Sequence, residues 1–353
     1  MPSNLDLLRH CHVSHKEDGV KAGKIIIFAV VIGCLGVAGT GYWFYRYAAT
    51  PTGISKATVA VWIKPGQNFF KTIAQLQQTG IIRHPKRFRL LAYLRRDERR
   101  IRAGEYLLGA SMSPGAILDV LVRGEVLLHK VVVPEGATVS TIAQILESAG
   151  LVSQDAFLQA ARDPRLIKSL GVGGHTFEGY LFPETYHFPK GVAAGQVIKK
   201  MVAQFHSVFA TDWLGRARAI GFTTQQVVTL ASIVEKETAR PDERLRIAAV
   251  FVNRLKRGMR LESDPTVIYG IKDFDGNLTR KDLQTLTPYN TYRIKGLPPG
   301  PIASPGRASI AAVLYPSEEP HLYFVSKNDG THHFSRTLAE HKKMVRKYQL
   351  RRH

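Results

Sequence analysis

Cysteine is nearly absent from this 353-residue chain: Cys11 and Cys34 are the only two. Everything after Cys34 therefore excludes a disulfide or a cysteine-based metal site, which suits a compartment that oxidises thiols. Acidic residues are also scarce, 28 against 49 lysines and arginines, and the net charge is +21. Such a surplus favours a polyanionic neighbour: nucleic acid, an anionic membrane surface or an acidic cell-wall polymer. The densest basic stretches, Arg95 to Arg100 and Lys342 to Lys347, read as solvated helix faces, since no Arg/Gly/aromatic nucleic-acid signature accompanies them. With 44% apolar and 22% charged residues, neither wholesale disorder nor a polytopic membrane protein is indicated, and the length allows two or three domains.

Ile25 to Tyr45 is free of charged side chains and, at 1.5 Å per residue, gives roughly 30 Å of helix, enough to cross a bilayer. Lys21 and Lys24 precede it, Arg46 closes it, and Tyr42-Trp43-Phe44-Tyr45 supplies an aromatic belt. It reads as a retained anchor. A cleaved signal peptide is the rival, but the run is long and ends without a small-x-small site. Arg9, Lys16, Lys21 and Lys24 bias residues 1–24 to the inside, as a cytoplasmic tail, with about 300 residues outside, in the periplasmic or extracytoplasmic space of a single-pass protein.

Residues 46–57 read as a linker. Two similar units follow, about 70 residues apart. Lys64-Pro65-Gly66 leads to Thr72-Ile73-Ala74-Gln75, and Val133-Pro134-Glu135-Gly136 leads to Thr141-Ile142-Ala143-Gln144. Each predicts a strand, a turn and an amphipathic helix, a pattern that resembles LysM-type modules, which bind the N-acetylglucosamine backbone of cell-wall glycans. The glycan-facing region is expected over 58–174. A strand is predicted at Gly104 to Leu108, and a helix from Ser113-Pro114-Gly115 to Gly124. A catalytic domain is expected over 175–349, with helices at Val197 to Phe209, Thr224 to Glu237 and Asp242 to Lys256. The fold class expected is α+β: one transmembrane helix, LysM-like βα modules and a mixed α/β catalytic domain.

Within Leu230-Ala231-Ser232-Ile233-Val234-Glu235-Lys236-Glu237, helical spacing gives Glu235 only Ala231, Ser232, Thr238 and Ala239 as neighbours one turn away. No cation is local to it. A carboxyl kept from water and counter-charge favours its neutral form, which suits a general acid. Glu237 differs, because Arg240 three residues on is placed to pair with it as with an ordinary surface glutamate.

A polysaccharide site needs aromatic faces and hydroxyl or amide groups on a firm scaffold. The candidates are Glu178, Tyr180, Ser232, Asp264, Thr266, Tyr269, Tyr289, Asn290 and Tyr292. They fall in motifs that follow one another in order: Glu178-Gly179-Tyr180-Leu181-Phe182-Pro183-Glu184-Thr185-Tyr186, the glutamate helix, Asn253-Arg254-Leu255, Asp264-Pro265-Thr266-Val267-Ile268-Tyr269-Gly270, Tyr289-Asn290-Thr291-Tyr292, Gly296-Leu297-Pro298-Pro299-Gly300-Pro301-Ile302, and His332 with Phe334. This succession closely resembles the endolytic murein transglycosylases, the MltG or YceG-like family, from about Val59 to Tyr348.

The resemblance implies a bacterial inner-membrane lyase that cuts nascent peptidoglycan strands, with Glu235 as the catalytic residue and no cofactor or metal. His332, His333 and His341 do not form a ligand pattern. Partners implied are glycan strands, the cytoplasmic membrane and a peptidoglycan synthase; nucleic acid is not among them. One carboxyl suffices for a lytic reaction, which ends in a 1,6-anhydro muramoyl product. Two other readings stay open: a muramidase using Asp264 or Glu178 as a second carboxylate, and a non-catalytic glycan-binding scaffold.

Overall fold

The computed structural model describes residues 11–350 apart from 210 and 239. Residues 1–10, which carry part of the charge bias expected to orient the anchor, lie outside the described residues. The chain forms two compact units, one ending at Leu127 and one beginning at Leu128.

The first unit runs α1 (Cys11–Ala49), β1 (Thr58–Ile63), α2 (Phe69–Gln78), α3 (Pro85–Leu94), β2 (Gly104–Gly109) and α4 (Pro114–Arg123). Within α1, Ile26–Ala49 is long and apolar enough to cross a membrane. The helix thus continues through residues 46–49, where a linker was expected. β1 pairs antiparallel with β2, Val61 opposite Tyr106. The helices close over that strand pair and bury Leu76, Phe88, Tyr106 and Leu118. Phe44 and Ala48, from the last turns of α1, pack against the same core. The Ser-Pro-Gly signal for α4 is realised, with Ser113 Oγ accepting the Ala116 N–H and Gly124 closing the helix in the left-handed region.

The second unit runs β3 (Leu128–Val132), α5 (Val139–Ser148), α6 (Gln154–Ala161), α7 (Pro164–Ser169), β4 (Thr185–Pro189), α8 (Ala194–Val208) and α9 (Thr211–Ala219). It continues with α10 (Thr224–Glu237), α11 (Arg244–Lys256), α12 (Asp264–Gly270), α13 (Arg280–Gln284), α14 (Arg307–Leu314), β5 (Tyr323–Ser326), β6 (His332–Ser335) and α15 (Leu338–Val345). β3 pairs with β4 and β5 with β6, both antiparallel. The protein is therefore α+β, and its strands form isolated two-stranded ribbons among the described residues. The centre of this unit is helical: α10, α11 and α14 pack on one another. They bury Val227, Val228 and Ile233 from α10, Ile247 and Phe251 from α11, and Ile310 and Val313 from α14.

The repeated sequence units are repeated in local structure. Gly66 and Gly136 turn the chain in the left-handed region, at φ 72° and 74°, between β1 and α2 and between β3 and α5. Asn68 and Thr138 cap the helices that follow. The second copy, however, belongs to the C-terminal unit, because its strand is completed by β4, beyond residue 174. What the copies share is a strand, a turn and a capped helix; a LysM module is a finer description than this.

One glycine lets the middle of the second unit close. Gly179 has φ 82°, and a Cβ there would fall 2.4 Å from Pro301 Cβ and 2.9 Å from Val228 Cγ1. Gly179→Ala is expected to cost about 2–4 kcal/mol, the left-handed backbone contributing about 1 and the displaced Pro301 the rest. A lowered urea midpoint for the detergent-solubilised chain checks this, and an unchanged midpoint contradicts it.

Candidate functional site

α10 begins with a capping box, Thr223 Oγ1 accepting the Gln226 N–H while Gln226 returns a bond to the Thr223 N–H. It ends at Glu237, and Thr238 is already extended at φ −145°. Glu235 thus lies in the last turn, with its side chain 7% exposed. Its Oε2 accepts the backbone N–H of Gly306 at 2.9 Å. Gly306 is the N-cap of α14, so the carboxylate faces the positive end of that helix. The expectation that Glu235 lacks a cation needs correction: Arg244, the first residue of α11, brings Nη2 to 3.8 Å from Oε1. No cation lies one helical turn from it on α10, as the spacing indicated, but the tertiary fold supplies Arg244. That guanidinium is 11% exposed, and its Nε is buried without a hydrogen-bond partner.

The segment from Gly296 to Gly306 is strapped to one face of α10. Gln225 Nε2 donates to Pro299 O at 3.0 Å, Ser232 Oγ accepts the Ile302 N–H at 3.0 Å, and Glu235 accepts Gly306. Positions 225, 232 and 235 recur at two and three helical turns, so they line one stripe. Ser232 is fully buried and also donates to Thr229 O. It therefore positions the loop and does not face a sugar.

Sequence reasoning missed a second carboxylate. Glu135, in the turn before α5, lies so close to Gly306 that a Cβ on that glycine would fall 1.8 Å from Glu135 Oε1. The Pro134–Gly136 turn is held there by Gly136 N–H to Ser304 O and Ser304 N–H to Ala137 O, both 2.8 Å. Glu235 and Glu135 therefore meet at one glycine. Partial burial and the charge of Glu235 raise the proton affinity of Glu135, and Arg244 opposes them. The Pro-Glu-Gly turn was visible in the sequence, but nothing local tied it to residues 100 positions on.

The other predicted residues fall into separate groups. Glu178 is buried, accepting the Val139 N–H at the start of α5 and the Tyr269 hydroxyl at 3.2 Å. Burial pushes its carboxyl up to about 7, against the pull of those donors. Tyr269 packs against Tyr289 with the rings tilted and their centroids 4.8 Å apart, and both hydroxyls are pushed up by burial. Tyr180 is core, edge-on to Phe205, and burial pushes its hydroxyl up to about 12. Thr266 and Thr291 share a buried hydroxyl contact at 2.8 Å, and Asn290 Nδ2 donates to Asp282, Leu283 and Thr285 carbonyls. These hold the loop backbone. Asp264 and Tyr292 do face open space: the tyrosine hydroxyl donates to Asp264 Oδ1 at 2.7 Å, and both line a cavity of about 410 Å³ with Glu237, Glu262 and His332.

Glu237 is not the surface glutamate expected. Arg240 pairs with Asp242 at 3.2 Å, because the helix has ended and residue 240 no longer lies over residue 237. Glu237 instead accepts the Ser263 hydroxyl. Burial, with Asp264 adding to it, pushes its carboxyl up to about 7. The Asn253-Arg254-Leu255 motif is also explained: Asn253 Nδ2 and Arg254 Nε hold the Glu319, His321 and Leu322 carbonyls. His332 donates its N–H to Glu243 Oε1 at 2.8 Å, and its Nδ1 lies 2.6 Å from Oε2, fixing the residue next to Arg244.

Glu178 and Glu237 both bind a proton more tightly folded than unfolded. Their contribution to stability is thus full below the ordinary carboxylate range and is lost as pH rises through about 7. The full chain is expected to be less stable at pH 8 than at pH 5, and Glu178→Gln to recover on the order of 2 kcal/mol of the difference. Denaturant unfolding at the two pH values checks this; a Gln variant that loses as much stability as the unaltered chain between pH 5 and 8 contradicts it.

The chain matches the YceG-like family over residues 61–347. It is 32% identical over 310 residues to the endolytic murein transglycosylase of Bacillus subtilis (strain 168), covering 83% of this chain and 86% of that one. The endolytic murein transglycosylase of Streptococcus pneumoniae serotype 2 (strain D39) is 29% identical over 357 residues, which cover 91% of this chain and 64% of the relative. A crystal structure of a yceG-like protein from Listeria monocytogenes aligns with a TM-score of 0.58 at 32% identity, covering 82% of this chain and 99% of the other. With the family's match spanning most of its length and its glutamate helix, strapped loop and Asp-Pro-Thr helix all in place, the chain belongs to the YceG-like family.

Proposed function

We propose that this chain is an endolytic murein transglycosylase, a lyase that cuts peptidoglycan strands internally, and that Glu235 is its acid and base. The observation that carries the proposal is a largely buried carboxyl held by the Gly306 N–H, with Arg244 at 3.8 Å and Glu135 across the same glycine. Protonated Glu235 gives its proton to the oxygen linking N-acetylmuramic acid to N-acetylglucosamine as the bond to the anomeric carbon breaks. Arg244 and the N-terminus of α14 stabilise the carboxylate so formed. That carboxylate then takes the proton of the muramoyl 6-hydroxyl as its oxygen closes on the anomeric carbon. The product ends in a 1,6-anhydro ring, no water is consumed, and Glu235 is protonated again. Glu135 faces the same glycine, where partial burial and the charge of Glu235 raise its own proton affinity.

The finer features follow from the same reading. The apolar span of α1 anchors the chain in the cytoplasmic membrane with the catalytic unit outside, and the βα units between Val59 and Leu151 assist glycan engagement. A peptidoglycan synthase that supplies the strands is the fitting protein partner. Asp264 and Tyr292, on an open cavity, are better placed for sugar contact than the buried Tyr180, Thr266 and Asn290.

A muramidase is the second reading, and Glu135 favours it more than Asp264 or Glu178 does, because both of those are engaged away from Glu235. Two variants separate the readings. Glu235→Gln is expected to lower the release of soluble fragments from purified sacculi at least about a hundredfold. Glu135→Gln is expected to keep measurable activity, because Glu235 alone performs both proton transfers in this reading. Substantial activity in Glu235→Gln overturns the assignment, and equal loss in both variants favours the two-carboxylate muramidase.

A further inference from the structure

The first unit carries a basic pocket that the reaction does not use. Arg46, Arg83 and Arg87 line a cavity of about 310 Å³ together with Trp43, Tyr47 and His84. No aspartate or glutamate lines it, and among the described residues none of the three guanidiniums has a carboxylate partner. Arg87 lies over Trp43, its Cζ 4.3 Å from the ring centroid, and the Tyr47 hydroxyl donates to His84 O at 3.3 Å. Three guanidiniums around one hollow lined by no carboxylate make it attractive to an anion. Their planar forks match phosphate oxygens.

The depth of the pocket along α1 identifies the anion. Trp43 lies six residues before Ala49, the end of the helix, or about 9 Å down its axis. Arg87 therefore reaches back along the span to the level of its aromatic belt, where lipid headgroups lie. The placement is firm, because Phe44 and Ala48 are packed into the core of this unit. α3 continues the same character: Lys86, Leu90, Tyr93 and Leu94 fall at helical spacing on its outer side and are all exposed. A basic and apolar helix face beside a membrane span suits an anionic lipid surface.

We propose that this pocket binds the phosphate of an anionic phospholipid headgroup, fixing the first unit against the membrane surface. The proposal rests on the reading of α1 as a retained anchor. The lipid occupies the space between the end of α1 and the start of α3, its phosphate bridged by Arg83 and Arg87 from one side and Arg46 from the other. Part of the net charge of +21 then has a local use.

Native mass spectrometry of the detergent-purified full chain, offered phosphatidylglycerol and phosphatidylcholine in equal amounts, tests this. Phosphatidylglycerol is expected to be retained about tenfold over phosphatidylcholine. Arg83→Gln with Arg87→Gln should bring the ratio to parity, and the exposed Arg46→Gln alone should lower it severalfold. Lys64→Gln with Arg99→Gln, elsewhere on this unit, should leave it unchanged. Equal retention of the two lipids by the unaltered chain, a preference that survives the double Arg variant, or displacement of the lipid by excess inorganic phosphate would overturn the proposal. Cell fractionation separates this from the anchor itself: a chain recovered in the soluble fraction refutes the anchor, whereas a membrane-bound chain without lipid preference refutes the pocket alone.

Discussion

The hydrogen bond from the Gly306 N–H to Glu235 is the interaction on which the proposed chemistry of the second unit depends. It fixes the rotamer of the carboxyl, ends the loop that began at Gly296, and starts α14. Two further bonds, from Gln225 to Pro299 and from the Ile302 N–H to Ser232, lay that loop along α10 before it arrives. A proline- and glycine-rich segment has few backbone donors and little helical tendency, so it needs such outside partners to hold a single course. α10 supplies them from one stripe. Gly179 then allows Pro301 to close over the top.

Around that bond, three helix ends share one small volume. The C-terminus of α10 brings Glu235, the N-terminus of α11 brings Arg244, and the N-terminus of α14 brings Gly306. Helix C-termini repel a carboxylate, and helix N-termini attract it. Arg244 and Glu135 bring one charge of each sign into the same volume. Glu243, gripped by His332, sets where Arg244 begins. The polar motifs that do not touch Glu235 thus act on it through the backbone they order.

Local features of the fold were legible in the sequence. The glutamate helix has the bounds expected of it, Thr224 to Glu237, and α4 starts and stops at its Ser-Pro and Gly signals. Those features depend on neighbours within a turn or two. What could not be read depends on residues far apart in the chain. Glu135 and Gly306 are separated by most of the second unit, and Arg244 reaches Glu235 only because the chain reverses between α10 and α11. Glu237 was misread for a related reason: the i, i+3 rule holds within a helix, and the helix stops at that residue. Tyr180, Thr266 and Asn290 carry groups that suit sugars, yet tertiary packing spends them on carbonyls and the core. The repeat at Gly66 and Gly136 was legible as a local motif, but not the strand that completes its second copy.

The central claim is that one carboxyl performs both proton transfers and that the sugar's own hydroxyl, not water, captures the anomeric carbon. Digestion of purified glycan strands in water enriched in oxygen-18, followed by mass spectrometry of the fragments, tests it most directly. The account predicts muramoyl ends one water lighter than reducing ends, without heavy oxygen, on fragments from the interior of the strand. Reducing ends that carry oxygen-18 would contradict it and make the enzyme a hydrolase.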